Sequence, residues 1–174
     1  MVKRYNAAGK LKNEHKNAVM YCRVSSKEQE KEGYSIPAQQ KLLRGYAEEN
    51  GFKIVNEYSD VETAKKAGRT AFNEMVAFLK KQNTGKQPGQ PCRVILVEKT
   101  DRLYRNLKDW VTLDELGVEI HLVKEGAVIS NDSRSADKFM HGIRVLMARN
   151  YIDNLSEETK KGMLEKAAQG IYPS

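Results

Sequence analysis

The sequence predicts an α/β protein with a mostly parallel central sheet flanked by helices. Three observations point to this class. Apolar, β-rich runs alternate with stretches of helical apolar spacing in the order β-α-β-α-β-α-β. Gly, Pro and small polar residues punctuate the boundaries between them. No apolar run nears the length of a membrane span, and 174 residues suffice to bury a sizeable core.

The elements follow in order. Residues 1–16 are polar and basic (Lys3, Arg4, Lys10, Lys12, Lys16) and read as a flexible arm, not a secretory signal. "NAVMYCRV", 17–24, reads as a buried strand. A helix then runs from Ser35, with Pro37 in its first turn and Ile36, Leu42, Leu43 and Tyr46 as its apolar positions, to a stop at Gly51. "FKIVNEYSD", 52–60, alternates as a strand does, and "VETAKKAGRT" is a small, polar loop. Phe72, Met75, Val76 and Leu79 predict the second helix, and "NTGKQPGQPC" the next loop. Val94–Val97 is a buried strand, "NLKDWVTLDELG" a helix ending at Gly117, "VEIHLVKEG" a strand and "AVIS" a short further one.

From Ser133, read as an N-cap, to about Gln169 the pattern becomes one long amphipathic helix. Its apolar stripe is Ala136, Met140, Ile143, Met147, Tyr151 and Leu155. The plain reading is a terminal core helix; because that length exceeds what a small domain needs to cover its own sheet, the sharper expectation is that the stripe packs on another subunit. The expected organisation is an arm over 1–16, a core over 17–132, the long helix over 133–170 and the start of a linker at 171–174.

A formal net charge of +7 favours a polyanionic partner, nucleic acid above all. Cys22 and Cys92 show no CxxC spacing and His15, His121 and His141 are scattered, so no zinc site can be assembled. Free thiols in a reducing cytoplasm are the expected setting.

Three polar clusters, "RVSS", "YSD" and "EKTDRL", fall at carboxyl ends of expected strands, where α/β sheets gather their sites. Arginines stand out: Arg23, Arg69, Arg102 and Arg105. Arginine forks match phosphate oxygens bidentately and keep their charge, so four at one sheet edge would suit a phosphodiester. Arg102 and Arg105, three apart, share a face if a helix begins there. Asp60 and Asp101 read as caps or as partners of these arginines. A Ser-His-Asp hydrolase fits poorly, since no GxSxG elbow is present and His121 lies within an apolar strand pattern.

"YCRVSSKEQ", "GYSIPAQQ", "YSDVETAKKAGRTAF", "VILVEKTDRLYRN" and "NYIDNLSEETKKGM", in this order from about residue 17 to 170, resemble the catalytic domain of serine recombinases. The "GYSIPAQQ" and "NLSEETKKG" segments are similar to the large serine recombinase (integrase and transposase) branch. The resemblance implies a resolvase-like catalytic domain followed by a long C-terminal oligomerisation helix. It implies that Ser25 is the nucleophile, that Arg23, Arg69, Asp101, Arg102 and Arg105 are catalytic, and that Tyr21, Gln29, Gln39, Asp60 and Glu157 support them. Ser26 stands where a threonine is common.

The implied reaction is attack by Ser25 on a DNA phosphodiester, giving a covalent 5′-phosphoserine and a free 3′ hydroxyl. Strand exchange by subunit rotation and religation would follow, with no cofactor and no metal. The implied partners are double-stranded DNA and further copies of the chain, as a homodimer or homotetramer through the long helix. No membrane is involved. Arg149, Lys160, Lys161 and Lys166 are candidate DNA contacts on that helix, and members of this branch continue into DNA-binding domains. Asp101, Arg105 and a water relay are the candidates for removing the Ser25 proton. The competing reading is a resolvase-like module that binds DNA and oligomerises without catalysis.

Overall fold

A computed structural model describes residues 15–25, 35–62, 69–83 and 91–147. Its elements are β1 (Lys16–Ser25), α1 (Ile36–Asn50), β2 (Phe52–Glu62), α2 (Thr70–Asn83), β3 (Val94–Val97), α3 (Thr100–Leu103), α4 (Leu107–Glu115), β4 (Glu119–Leu122), a 3-10 turn (Val123–Glu125) and β5 (Ala127–Ile129). A further helix, α5, is described over 135–147.

Among the described residues the strands form one sheet in the order β2-β1-β3-β4-β5. The first four run parallel and β5 is antiparallel to β4. The reversal has a simple cause. Only the 3-10 turn and Gly126 join β4 to β5, and a parallel crossover needs a dozen residues or more.

The helix limits are where their chemistry puts them. Ser35 caps α1, its hydroxyl accepting from the Ala38 N–H at 3.4 Å, and Pro37 occupies the first turn. Gly51 and Gly117 end their helices at φ 69° and 62°, a left-handed geometry that suits glycine. Ser133 does not cap α5. Its hydroxyl accepts instead from the Ser130 N–H at 2.9 Å, and the Arg134 carbonyl takes the first helical bond, from Lys138. The serine is spent on closing the preceding turn.

The sheet is covered on both faces, which is why β1 is buried along nearly all its length. Ala18, Met20 and Cys22 pack with Leu43 and Ala47 of α1. Val19 and Tyr21 face the other way, against Phe72, Met75 and Leu79 of α2, Leu113 of α4 and Val145 of α5. Each large apolar side chain so buried contributes about 1.5–3 kcal/mol.

Only part of α5 touches this core. His141 and Val145 are buried, whereas Phe139, Met140, Leu146 and Met147 are 46–68% exposed. Of the expected stripe, Ala136, Met140 and Met147 therefore lie on the outward face. Positions 148–170, with Tyr151 and Leu155, fall outside the described residues. No helix among the described residues is long and apolar enough to cross a membrane.

Both cysteines are buried and free. Burial, aided by Glu57 and Glu98, pushes the Cys22 thiol up to about 12, and burial pushes Cys92 up to about 11. A disulfide reagent at pH 8 should therefore label neither thiol until urea unfolds the chain. The linkage runs one way: a thiol whose pKa is higher when folded favours the native state fully below the ordinary value of 9.0. That contribution is lost as pH rises toward about 12. Urea midpoints should fall above pH 9, and less steeply in Cys22→Ala. An equal fall in both proteins would remove Cys22 as the cause.

Candidate active site

The site forms where β1 and β3 part. Their pairing ends at Tyr21 and Val97, after which the chain beyond β3 turns into α3. This leaves the Arg23 backbone without a strand beside it on that side. The amide of Gln39, buried in α1, fills the gap. Its Oε1 accepts from the Arg23 N–H at 3.2 Å and its Nε2 donates to the Arg23 carbonyl at 3.0 Å. Gln39 thus acts as a one-residue strand that keeps β1 straight up to Ser25.

Alternation along β1 puts Tyr21, Arg23 and Ser25 on one face. It is the face that carries α2 and α3. Ser25, half-buried at the strand's last position, pairs in register with Glu62 of β2.

α3 has only four residues, so its last carbonyls have no partners within the helix. Arginines supply them. Arg23 donates from Nε to the Arg102 carbonyl at 3.2 Å and from Nη2 to the Asp101 carbonyl. Arg69 donates from Nη2 to the Leu103 carbonyl at 2.5 Å. Two guanidinium forks from distant parts of the chain thus terminate the helix that carries Asp101 and Arg102.

Arg69 is held in its turn. Its carbonyl accepts the first helical bond of α2, from Asn73, which puts it at the N-cap position. An arginine side chain cannot cap the N–H groups that follow. Asp60 of β2 does so, its Oδ1 accepting from the Ala71 N–H at 3.1 Å and its Oδ2 from the Phe72 N–H at 3.0 Å. The Tyr21 hydroxyl also donates to Asp60, at 2.9 Å, and accepts from Arg69 Nη2 at 3.1 Å. Burial raises the Tyr21 pKa well above its ordinary value, so the phenol keeps its proton. Asp60→Ala should cost about 3 kcal/mol by stranding buried donors. Urea denaturation measures this, and a loss below about 1 kcal/mol would show that α2 starts without Asp60.

The other acidic and basic residues are placed less uniformly. Arg102 is only 2% exposed, with Nε 3.5 Å from Glu98, itself buried and paired with Lys124. The Asp101 carboxylate pairs with Lys99 at 3.3 Å. Arg105 lies past α3, because Tyr104 is already extended (φ −106°, ψ 139°). Arg102 and Arg105 therefore do not share a helical face, since the helix ends between them. Burial lowers the pKa of Arg23, and the nearby Arg69 and Arg102 charges act in the same direction. His121, as expected, is structural: it contacts the Tyr46 hydroxyl at 2.9 Å and Glu119 at 2.6 Å.

Three carboxylates that sequence reasoning did not single out take part. Glu98 is the buried partner of Arg102. Glu125 caps α3, where Lys99 offers no acceptor, taking the Thr100 N–H at 2.6 Å and its hydroxyl at 2.9 Å. Asp109 accepts from the Arg105 N–H at 2.8 Å and pairs with Arg69. Asp109 did leave a signal. "NLKD" has capping-box spacing, and Asn106 does accept from the Asp109 N–H at 3.0 Å. That local explanation hides the long-range one. Gln29, Arg149, Glu157, Lys160, Lys161 and Lys166 lie outside the described residues.

A cavity of about 550 Å³ lies at the other end of the sheet, lined by Lys16, Glu48, Asn50 and Phe52 among others.

Comparison with known proteins identifies the family. The model of the family described as "Resolvase, N terminal domain" matches residues 18–172. The chain belongs to the resolvase N-terminal domain family. A resolvase-family site-specific recombinase from Streptococcus pneumoniae matches this resolvase domain in structure with a TM-score of 0.58 and 30% identity. The match covers 88% of this chain and 99% of that one. The N-terminal catalytic domain of TP901-1 integrase shares the fold, with a TM-score of 0.55 at 24% identity over 83% of this chain and 99% of that one. Immunity region protein 3 of Bacillus phage phi105, itself uncharacterized, is 38% identical over 68 residues, which is 38% of this chain and 83% of that protein. The domain is thus a serine recombinase catalytic domain of the resolvase family, as its motifs imply.

Proposed function

We propose that this resolvase domain breaks and rejoins DNA strands through a covalent intermediate on Ser25. One observation carries the reading: Ser25 ends the strand whose Arg23 is linked, through the carbonyls of residues 101–103, to Arg69 and α3. The Ser25 hydroxyl attacks phosphorus and the bond to the 3′ oxygen breaks. A 5′-phosphoserine and a 3′ hydroxyl result, and religation reverses the step, so the bond energy stays within the covalent linkage.

Catalysis here is electrostatic. Guanidinium groups prearranged at one sheet edge offset the charge that builds on the non-bridging oxygens, and one such donor is worth about 2.7–4 kcal/mol. Arg23, Arg69 and Arg105 act at the phosphate, and Arg102 adds positive potential from beneath. Asp101, Arg105 and a water relay are the candidates for taking the serine proton. Tyr21, Gln39 and Asp60 hold the frame.

The outward apolar residues of α5, Phe139, Met140, Leu146 and Met147, favour assembly with further copies along this helix. Strand exchange would then proceed by rotation between subunits, as in the large serine recombinase branch. The reading is a catalytic core over 17–132 and an oligomerisation helix beginning with α5, while the expected arm up to residue 14 and the expected segments beyond residue 147 lie outside the described residues.

The test uses a pool of random-sequence duplexes with sulfur replacing one bridging 3′ oxygen, since the released thiol rejoins poorly. A denaturing gel and peptide mapping should find DNA bound by its 5′ phosphate to Ser25. DNA bound at its 3′ end, or at another residue, would sink the assignment. DNA binding without any adduct would favour a module that binds and assembles only.

A further inference from the structure

A guanidinium set beside another needs something to hold it there. Arg23 and Arg69 meet α3 at adjacent carbonyls, those of Arg102 and Leu103, so two like charges are set side by side. The nearest neutral contacts of Arg69, the Tyr21 hydroxyl and the Leu103 carbonyl, offer no opposite charge. The Phe72 ring lies 3.8 Å below its Cζ and fixes the plane of the fork without fixing its direction. A carboxylate is needed, and Asp109 supplies it through Nη1.

We propose that Asp109 is the positioning residue for Arg69, and so for the phosphate-facing side of the site. This rests on the strand-breaking reading above. The same Oδ2 that meets Arg69 also accepts the Arg105 N–H at 2.8 Å. One oxygen atom therefore ties the start of α2 to the connection between α3 and α4, which carries Arg105. The pair is largely shielded, its side chains 9% and 16% exposed, so water competes little for either group. Asp109 is itself fixed by the first turn of α4, where its N–H donates to Asn106. The carboxylate thus reaches Arg69 from a rigid element, as a positioning group should.

A purely structural Asp109 and a positioning Asp109 differ in one respect. The first would matter equally whatever stands at 69, whereas the second acts through Arg69. The experiment is a double-mutant cycle on the full chain, read in two ways. With the 3′-sulfur duplex pool, Asp109→Ala should slow covalent capture at saturating DNA by about 10- to 100-fold, the scale of a misplaced catalytic group. The DNA concentration giving half the maximal rate should change much less. Asp109→Asn should recover part of the loss. In an Arg69→Lys background, adding Asp109→Ala should cost under about threefold. The same factor in both backgrounds would overturn the proposal.

The second readout needs no DNA. Urea unfolding of Arg69→Ala, Asp109→Ala and the double variant should show at least about fivefold coupling in the unfolding constant. Additive effects would refute the pairing whatever the cleavage data say. If the wild-type protein forms no adduct, the strand-breaking reading fails, and with it the catalytic purpose of the pair. If adduct forms and only the cycle is additive, the positioning role alone fails.

Discussion

Ser25→Ala is expected to abolish covalent capture of DNA, lowering strand cleavage by at least about 10⁴-fold, the scale on which loss of a nucleophile acts. The fold should survive. Ser25 is the last residue of β1, half-buried, and β1 holds to the sheet through backbone pairing that alanine preserves. Melting temperature and far-ultraviolet circular dichroism should stay close to those of the wild type. The variant thus separates chemistry from architecture. Residual adduct at the wild-type rate would show that another residue attacks, and a collapsed fold would give Ser25 a structural role.

Arg23→Ala should instead damage both. Its fork donates to two successive carbonyls at the end of α3 and comes from a side chain almost wholly buried. Truncation strands those carbonyls, at a cost of about 3 kcal/mol. The same change removes a guanidinium from the phosphate, and cleavage should fall by about 10²- to 10³-fold. Arg23→Lys makes the sharper test. Lysine keeps the charge but is a point donor that cannot span both carbonyls at once. It should regain part of the stability and little of the rate. Urea denaturation and single-turnover capture measure the two quantities. A lysine variant that cut at the wild-type rate would show that charge alone matters and the fork does not.

The regular elements were readable because their signals are local. The Ser35 cap, the Gly51 and Gly117 stops and the apolar run Val94–Val97 each act within a few residues of themselves. The candidate site residues were named through the family motifs. Their work was less legible, because it is done between distant segments. Asp60 read as a cap or as a partner for an arginine, and only the fold shows which helix it caps, α2, across 11 and 12 residues of chain. Arg102 read as one of four forks suited to a phosphodiester and is buried against Glu98. Asp109 has a sufficient local explanation as a capping-box residue, and nothing nearby hints at Arg69, 40 positions earlier. Glu125 sits in "VKEG", which alternation extended as a strand, and the 3-10 turn there aims its carboxylate at Thr100. On α5, helical periodicity located an apolar stripe, but two apolar faces compete on that helix. Packing against the core selected His141 and Val145.

The way α3 ends has a consequence for how such a protein can decay. A lineage released from cutting DNA could lose Ser25 in a single step and keep its shape. It could not discard Arg23 or Arg69 so freely, because the helix they terminate would be left with bare carbonyls. Retired descendants should therefore keep their arginines long after their serine is gone. If Ser25 is the nucleophile, the residue at the end of β1 in a newly met relative reports whether the protein still cuts, whereas the arginines, which also hold the fold, do not.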